Sequence, residues 1–258
     1  EQHVGLDSFD ERSLTEWLQR ITDDQAWLAD RKIAFYVVVA PDKSTIYPEY
    51  LPQYPRLPGA TTRLDQVADA LNGRPDLAVI DPRASIAALK AEHRVYPIAD
   101  SHWGPRAAFA AYSMLIDRIR EQYPAIQPVS LADYDIARTP QKGDLAYLLN
   151  LYDDLIYPED VFQFRGQSHV VKVEEAKPDP SWGWPVRRVK TDREDNPTIL
   201  VQGDSFNDYV LGPLFLFQTF RRVVYTHHNG TRLNKELIEE THPDIVVLQL
   251  AERYLAIP

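Results

Sequence analysis

The tripeptide Gly203-Asp204-Ser205 directly follows an apolar run at residues 198–202. That run is typical of a buried parallel strand, and a serine just beyond such a strand lies where open α/β sheets place their ligands. A sharp turn there exposes the hydroxyl, and the N–H groups of the next helix can stabilise an oxyanion. Ser205 is therefore a candidate nucleophile. The alternative is a simple turn in which Asp204 or Ser205 caps the following helix.

A serine nucleophile needs a base, and His102 is the best candidate among the seven histidines. Asp100 precedes it by two residues, and in an extended segment residues two apart point to the same side. The carboxylate could therefore hold Nδ1 of the imidazole and leave Nε2 free to accept a proton. The alternative is that Asp100 or Ser101 is a helix cap and His102 is half-exposed.

Three further residues could contact a substrate. His228 follows the predicted strand 222–226, and Arg253 follows the last predicted strand, so both belong to the same sheet edge as Ser205. Trp184 could offer a flat face to a sugar ring, or simply pack a long loop. Adjacent histidines at 227 and 228 point in opposite directions and no H-E-x-x-H motif accompanies them, so we predict no metal site.

The elements that must position these residues alternate between strands and helices. This alternation predicts an α/β fold with a parallel sheet flanked by helices on both faces. Residues 153–197 lack helical periodicity, so we predict one domain over residues 1–258 with a long irregular insertion there, including a hairpin at 161–174. The predicted strands are 33–40, 77–80, 198–202, 222–226 and 244–250, and the predicted helices are 61–71, 83–90, 105–122 and 231–240.

Composition excludes several classes of protein. The chain of 258 residues carries 28 Lys and Arg against 38 Asp and Glu, a net charge of −10, which argues against nucleic acid or an anionic membrane as the main partner. Its apolar runs are too short to span a bilayer. Cysteine is absent, so a disulfide framework, a thiol nucleophile and Cys-ligated zinc are all excluded.

Taken together, these stretches resemble one family, the SGNH-like polysaccharide O-acetyltransferases of bacterial alginate acetylation (the AlgJ/AlgX family). In ordinary SGNH hydrolases the serine block precedes the Asp-x-x-His block, whereas here Asp-x-His comes first, which is the circularly permuted order of the acetyltransferase branch. The resemblance rests on Asp100-Ser101-His102-Trp103 before a Pro-initiated helix, residues 199–206, Pro41-Asp42-Lys43 with Tyr47-Pro48-Glu49, Gly143-Asp144-Leu145, and Glu252-Arg253-Tyr254-Leu255.

The resemblance implies a function and a set of roles. Ser205 would be the nucleophile, His102 the general base and Asp100 its orienting residue, and an acetyl-serine would pass its acetyl group to a hydroxyl of an extracytoplasmic, for instance periplasmic, polysaccharide such as alginate. It implies no metal or organic cofactor, and an acetyl donor supplied by a membrane-bound O-acyltransferase. We expect no carbohydrate-binding module after residue 258. The residues expected to contact substrate are Trp103, Trp184, His228, Asn229 (also a tentative second oxyanion donor) and Arg253.

Two other functions stay open at this point. A carbohydrate acetylesterase shares the chemistry up to the acetyl-enzyme and differs only in using water as the acceptor. A non-catalytic polysaccharide-binding subunit would use the same residues as caps. A distance above about 5 Å between Ser205 Oγ and the His102 ring would favour the binding subunit.

Overall fold

A computed structural model describes residues 8–52, 59, 61–71, 74, 77–175 and 185–256. The strands are β1 (Ala34–Ala40), β2 (Val79–Ile80), β3 (Tyr134–Gln141), β4 (Tyr157–Phe164), β5 (Val170–Glu175), β6 (Val186–Thr191), β7 (Thr198–Gly203), β8 (Arg222–His227) and β9 (Ile245–Ala251). The α-helices are α1 (Glu11–Ala29), α2 (Lys43–Ile46), α3 (Arg63–Leu71), α4 (Arg83–Leu89), α5 (Pro105–Arg120), α6 (Asp144–Leu148), α7 (Phe217–Thr219) and α8 (Lys235–Thr241).

Seven strands form the main sheet in the order β2-β1-β9-β7-β8-β6-β5. The five strands from β2 to β8 are parallel, whereas β6 and β5 extend the sheet antiparallel beyond β8. Every residue of β1, β7 and β9 is buried, as expected for central parallel strands covered on both faces. The predicted α/β sheet flanked by helices is therefore confirmed.

Alternate residues of the central strands feed two separate cores. On one face, Val38 and Val201 pack with α5 and the π-helical segment Asn207–Leu216. On the other face, Val37 and Leu200 pack with α1, α3 and α8. The two cores fix the carboxyl ends of β7, β8 and β9 from both sides, and the segment that carries Ser205 starts at that edge.

Helix α1 was not predicted from the sequence. Asp10 caps it by accepting a hydrogen bond of 2.6 Å from the backbone N–H of Ser13, and the helix buries Trp17, Ile21 and Leu28. These three apolar residues recur at helical spacing, so the signal was present. None of the described helices is both long and apolar enough to cross a bilayer.

The predicted hairpin at 161–174 is wrong. Strand β4 pairs antiparallel with β3, and β5 pairs with β6 instead. Aromatic contacts explain the first pairing, because Tyr134 on β3 lies 5.7 Å from Phe162 and 5.3 Å from Phe164, measured between ring centroids. Charge explains the second, because Glu174 and Glu175 lie opposite Arg188 and Arg187. The segment 153–197 thus contributes three strands, two of them in the main sheet.

Candidate active site

The serine turn begins where β7 ends. A Cβ on Gly203 would lie 2.8 Å from the Gln249 side-chain oxygen, so any larger residue here would force the buried Gln249 side chain to move. The buried Asp204 carboxylate accepts hydrogen bonds from the backbone N–H groups of Phe206 (2.9 Å) and Ala251 (2.5 Å). Burial raises the pKa of Asp204 despite these bonds. Asp204 therefore caps the turn and ties it to β9, which leaves the Ser205 hydroxyl available for chemistry.

Ser205, His102 and Asp100 form a continuous chain of hydrogen bonds. Ser205 Oγ lies 2.7 Å from His102 Nε2, and His102 Nδ1 lies 2.7 Å from Asp100 Oδ1. The same Oδ1 atom accepts a 2.8 Å hydrogen bond from the His102 backbone N–H. The side chains of residues 100 and 102 therefore point to the same side, as predicted. His102 contacts Ser205 although the two residues are 103 positions apart in the sequence.

Hydrogen bonding keeps Asp100 in its charged form. Burial raises the pKa of this carboxyl, but the bonds from the His102 ring and backbone outweigh burial and hold the pKa below its ordinary value. A carboxylate at this place favours the imidazole tautomer with the proton on Nδ1. Nε2 is then free to accept a proton from the Ser205 hydroxyl.

A second carboxylate, Asp144, supports the segment that carries His102. Its oxygens accept hydrogen bonds from the Ser101 backbone N–H (2.7 Å) and hydroxyl (2.5 Å), and one of them lies 3.7 Å from His102 Nδ1. Gly143 makes this approach possible, because a Cβ there would lie 2.0 Å from the Ala99 carbonyl oxygen. The sequence analysis noted Gly143-Asp144-Leu145 but assigned Asp144 no role.

Lys43 anchors the same segment from the other side. Its ammonium donates hydrogen bonds to the backbone carbonyls of Pro97 (2.6 Å), Ile98 (2.8 Å) and Asp100 (2.8 Å). Burial lowers the pKa of Lys43, while the charge of Asp100 acts in the opposite direction. This role was also missed, because it depends on contacts more than 50 residues apart in the sequence.

The expected substrate contact of Trp103 is wrong. Its side chain is only 1% exposed, its indole N–H donates a 2.9 Å hydrogen bond to the Phe206 carbonyl, and its ring packs edge-on against Phe206. Trp103 therefore joins the His102 segment to the Ser205 turn and offers no face to a ligand. Tyr209, which the sequence analysis did not select, is exposed and lies 4.9 Å from the His102 ring, between centroids.

Three other residues were expected to contact substrate: His228, Asn229 and Trp184. The His228 backbone N–H donates a 2.8 Å hydrogen bond to the Gly203 carbonyl, so this half-buried residue adjoins the serine turn. Burial and the neighbouring His227 lower the pKa of His228. The Asn229 side chain hydrogen-bonds to His227, whose Nδ1 lies 2.7 Å from Asp208 Oδ2. Trp184 lies outside the described residues.

Arg253 packs against Phe206 of the serine turn. Its guanidinium stacks on the Phe206 ring at 5.2 Å and forms a 3.0 Å ion pair with the buried Asp42 carboxylate. Burial raises the pKa of Asp42 to about 6, even though the charge of Arg253 opposes the rise. The position next to Phe206 is compatible with the substrate contact expected of Arg253.

Asp100, His102 and Asp144 also offer three potential metal ligands within 4.8 Å of one another. The same atoms already form the hydrogen bonds described above, which connect His102 to Asp100 and Asp144 to Ser101. These hydrogen bonds hold the three side chains together.

The sequence matches, over residues 3–237, the profile of the family described as "SGNH hydrolase-like domain, acetyltransferase AlgX". The chain belongs to this family. A search of curated protein sequences found no match. Membership in an acetyltransferase family fits a site built on a serine, a histidine and a carboxylate.

Solved structures of low sequence identity share the fold. PatB1 of Bacillus cereus is 15% identical, with a TM-score of 0.69, 96% of this chain covered and 92% of that one. The O-acetyltransferase domain of Pseudomonas putida AlgJ is 19% identical, with a TM-score of 0.62 and coverages of 95% and 84%. Pseudomonas aeruginosa AlgX is 17% identical, with a TM-score of 0.53 and coverages of 98% and 58%. The permuted SGNH-like fold is thus shared along nearly the whole chain.

Proposed function

We propose that this protein is an O-acetyltransferase in which Ser205 carries the acetyl group as a covalent intermediate. The observation that supports this most strongly is the unbroken chain from Ser205 through His102 to Asp100, with both side-chain contacts at 2.7 Å. This separation is well inside the range that general-base catalysis requires. It favours an enzyme over a non-catalytic binding subunit.

In the first half-reaction, His102 Nε2 takes the hydroxyl proton as Ser205 Oγ attacks the carbonyl carbon of an acetyl donor. The new Oγ–C bond gives a tetrahedral oxyanion, which the Ser205 backbone N–H would stabilise. Such a donor lowers the barrier by roughly 3 kcal/mol. The bond from carbon to the leaving group then breaks, and the leaving group takes the proton from His102. Asp100 stabilises the imidazolium that forms between these steps.

In the second half-reaction, His102 takes a proton from a hydroxyl of the acceptor sugar. The acceptor oxygen attacks the acetyl carbon, the bond to Ser205 Oγ breaks, and His102 returns its proton to Oγ. Atoms and charge balance with no cofactor. We propose an extracytoplasmic polysaccharide as the acceptor, Arg253 among its contacts, and a membrane-bound O-acyltransferase as the source of acetyl groups, all by likeness to the family.

Product analysis tests the proposal. The protein is incubated with p-nitrophenyl acetate, with and without neutral oligosaccharides, and acetylated sugar and free acetate are quantified separately. We expect acetyl sugar that depends on Ser205, so that Ser205→Ala abolishes it. Ser113→Ala is the matched control, because the Ser113 hydroxyl only donates to the Phe109 carbonyl within α5. Free acetate alone, with no acetyl sugar from any acceptor, would identify an acetylesterase instead.

A further inference from the structure

A groove leads away from the site along the first turn after β1. It has a volume of about 970 Å³ and reaches from Arg253 and Ser101 to the segment around Tyr47 and Tyr50. Ser101 is the immediate neighbour of His102, and Arg253 stacks on Phe206, the neighbour of Ser205. The lining at this end of the groove thus includes the sequence neighbour of His102 and a residue that packs on the neighbour of Ser205.

Tyrosines form one wall of this groove. Tyr47 is fixed: its ring lies 5.9 Å from that of Tyr50 and 6.4 Å from that of Tyr96, between centroids, and its hydroxyl accepts a hydrogen bond from the Val95 backbone N–H. Tyr50 follows in a 3₁₀ turn that starts at Pro48, and its side chain is 81% exposed. An exposed tyrosine ring on a rigid turn is suited to an amphipathic ligand with a flat apolar face, such as a sugar ring.

The cations around the groove already have partners within the protein. The Lys90 ammonium lies 2.9 Å from a Glu49 carboxylate oxygen and also donates to the Ile46 carbonyl. Arg253 is paired with Asp42 at 3.0 Å, and Lys43 donates to three backbone carbonyls.

The fourth cation of the wall, Arg94, forms a 2.9 Å ion pair with the almost fully buried Glu159. Glu92 adds an exposed carboxylate to the wall. A polyanion would have to break these ion pairs and approach a protein of net charge −10. An uncharged ligand would leave the ion pairs intact and meet no net repulsion.

We propose that this groove binds the acceptor as an uncharged saccharide chain, with one sugar ring stacked on Tyr50 and the chain running past Arg253 to Ser205. The inference rests on the proposed function and specifies its substrate class: a neutral glycan in place of a polyuronate such as alginate. Hydrogen bonds between the sugar hydroxyls and the side chains of Arg253 and Ser101 would set which sugar hydroxyl reaches His102.

The test is a binding measurement on the Ser205→Ala protein, which does not depend on acetyl transfer. Isothermal titration calorimetry compares neutral hexasaccharides (β-1,4-linked glucose, mannose and N-acetylglucosamine) with hexasaccharides of mannuronate and guluronate. We expect at least one neutral hexasaccharide to bind more tightly than either uronate. Adding Tyr50→Ala should weaken its binding by about fivefold or more, because the apolar ring face is lost. Adding Tyr147→Ala, which removes a tyrosine that is 72% exposed outside the groove wall, should change binding less than about twofold.

Salt supplies an independent readout. Binding of an uncharged chain should change by less than about twofold between low and high ionic strength, because no ion pair forms with the ligand. Tighter binding of a uronate, binding of no neutral hexasaccharide, or equal effects of the two tyrosine substitutions would each overturn the inference. Failure of the proposed function would look different: the neutral glycan would bind through Tyr50, but the protein with Ser205 intact would form no acetyl-serine.

Discussion

Replacement of Asp100 by asparagine separates two ways in which this residue could act. One Asp100 oxygen, Oδ1, accepts from both the ring and the backbone nitrogen of His102, at 2.7 and 2.8 Å, while Oδ2 lies 3.3 Å from the Asp144 backbone nitrogen. An amide oxygen at the Oδ1 position keeps both short bonds and loses only the long one. In the reverse orientation the amide oxygen keeps the long bond to Asp144, but the NH₂ group then faces the ring and backbone N–H groups of His102.

If His102 switches tautomer, the reverse orientation also makes two bonds, but it keeps the 3.3 Å bond in place of the shorter 2.8 Å bond to the His102 backbone N–H. The first orientation is therefore favoured, and most molecules of Asp100→Asn should keep the productive tautomer of His102. What is lost is the negative charge opposite the imidazolium. A hydrogen bond to a charged group exceeds a neutral one by about 1–2 kcal/mol, which corresponds to a roughly five- to thirtyfold drop in turnover. An amide that trapped the wrong tautomer would instead lower turnover by about ten-thousandfold.

The assay is steady-state hydrolysis of p-nitrophenyl acetate, with urea denaturation to establish that the variant folds. Asp135→Asn is the matched control, since it removes an exposed carboxylate paired with Arg165 away from the site, and its turnover should equal that of the unsubstituted protein. A loss above about a thousandfold would refute the predicted amide orientation. A change below about twofold would refute an orienting role for Asp100 altogether.

Three further substitutions test the supports of the site. Gly143→Ala should lower the free energy of unfolding by about 3 kcal/mol, because its Cβ would lie 2.0 Å from the Ala99 carbonyl oxygen; Gly104→Ala, with its nearest contact at 3.2 Å, should cost clearly less in the same urea titration. Lys43→Met should lower ester turnover at least about tenfold by releasing three carbonyls of the His102 segment, and unchanged turnover would show that this anchor is dispensable. Asp42→Asn tests the pH dependence of stability. Folding raises the pKa of Asp42 from 3.8 to about 6. Its contribution to the free energy of unfolding is therefore complete below pH 3.8 and is lost as the pH rises through 6. Relative to Asp42→Asn, the unsubstituted protein should therefore lose up to about 3 kcal/mol between those limits, and parallel stability curves would contradict the raised pKa.

Much of the fold could be predicted from local sequence. The central strands consist of continuous β-branched and apolar runs, and their predicted ends differ from the observed ones by only one or two residues at most positions. The pairing of Ser205 with His102 could also be predicted, because a serine nucleophile needs a base and Asp100 lies two residues before His102 in an extended segment. The local sequence pattern was sufficient to predict a residue's position wherever that position depended only on its own strand or turn.

The failures concern long-range contacts. Strand β4 pairs with β3 because Tyr134 packs on Phe162 and Phe164, a relation that the turn between β4 and β5 does not reveal. Trp103 was expected to contact substrate, yet tertiary packing buries it against Phe206. The support from Asp144 likewise depends on a long-range contact, the close approach of its neighbour Gly143 to the Ala99 carbonyl.

The measurement that tests the central claim most directly is intact mass spectrometry with peptide mapping after brief incubation with p-nitrophenyl acetate. The account predicts a single acetyl group on Ser205, which forms slowly or not at all in His102→Ala and is absent in Ser205→Ala. An acetyl group mapped to another residue, or one that persists unchanged in Ser205→Ala, would contradict the assignment of Ser205 as the nucleophile.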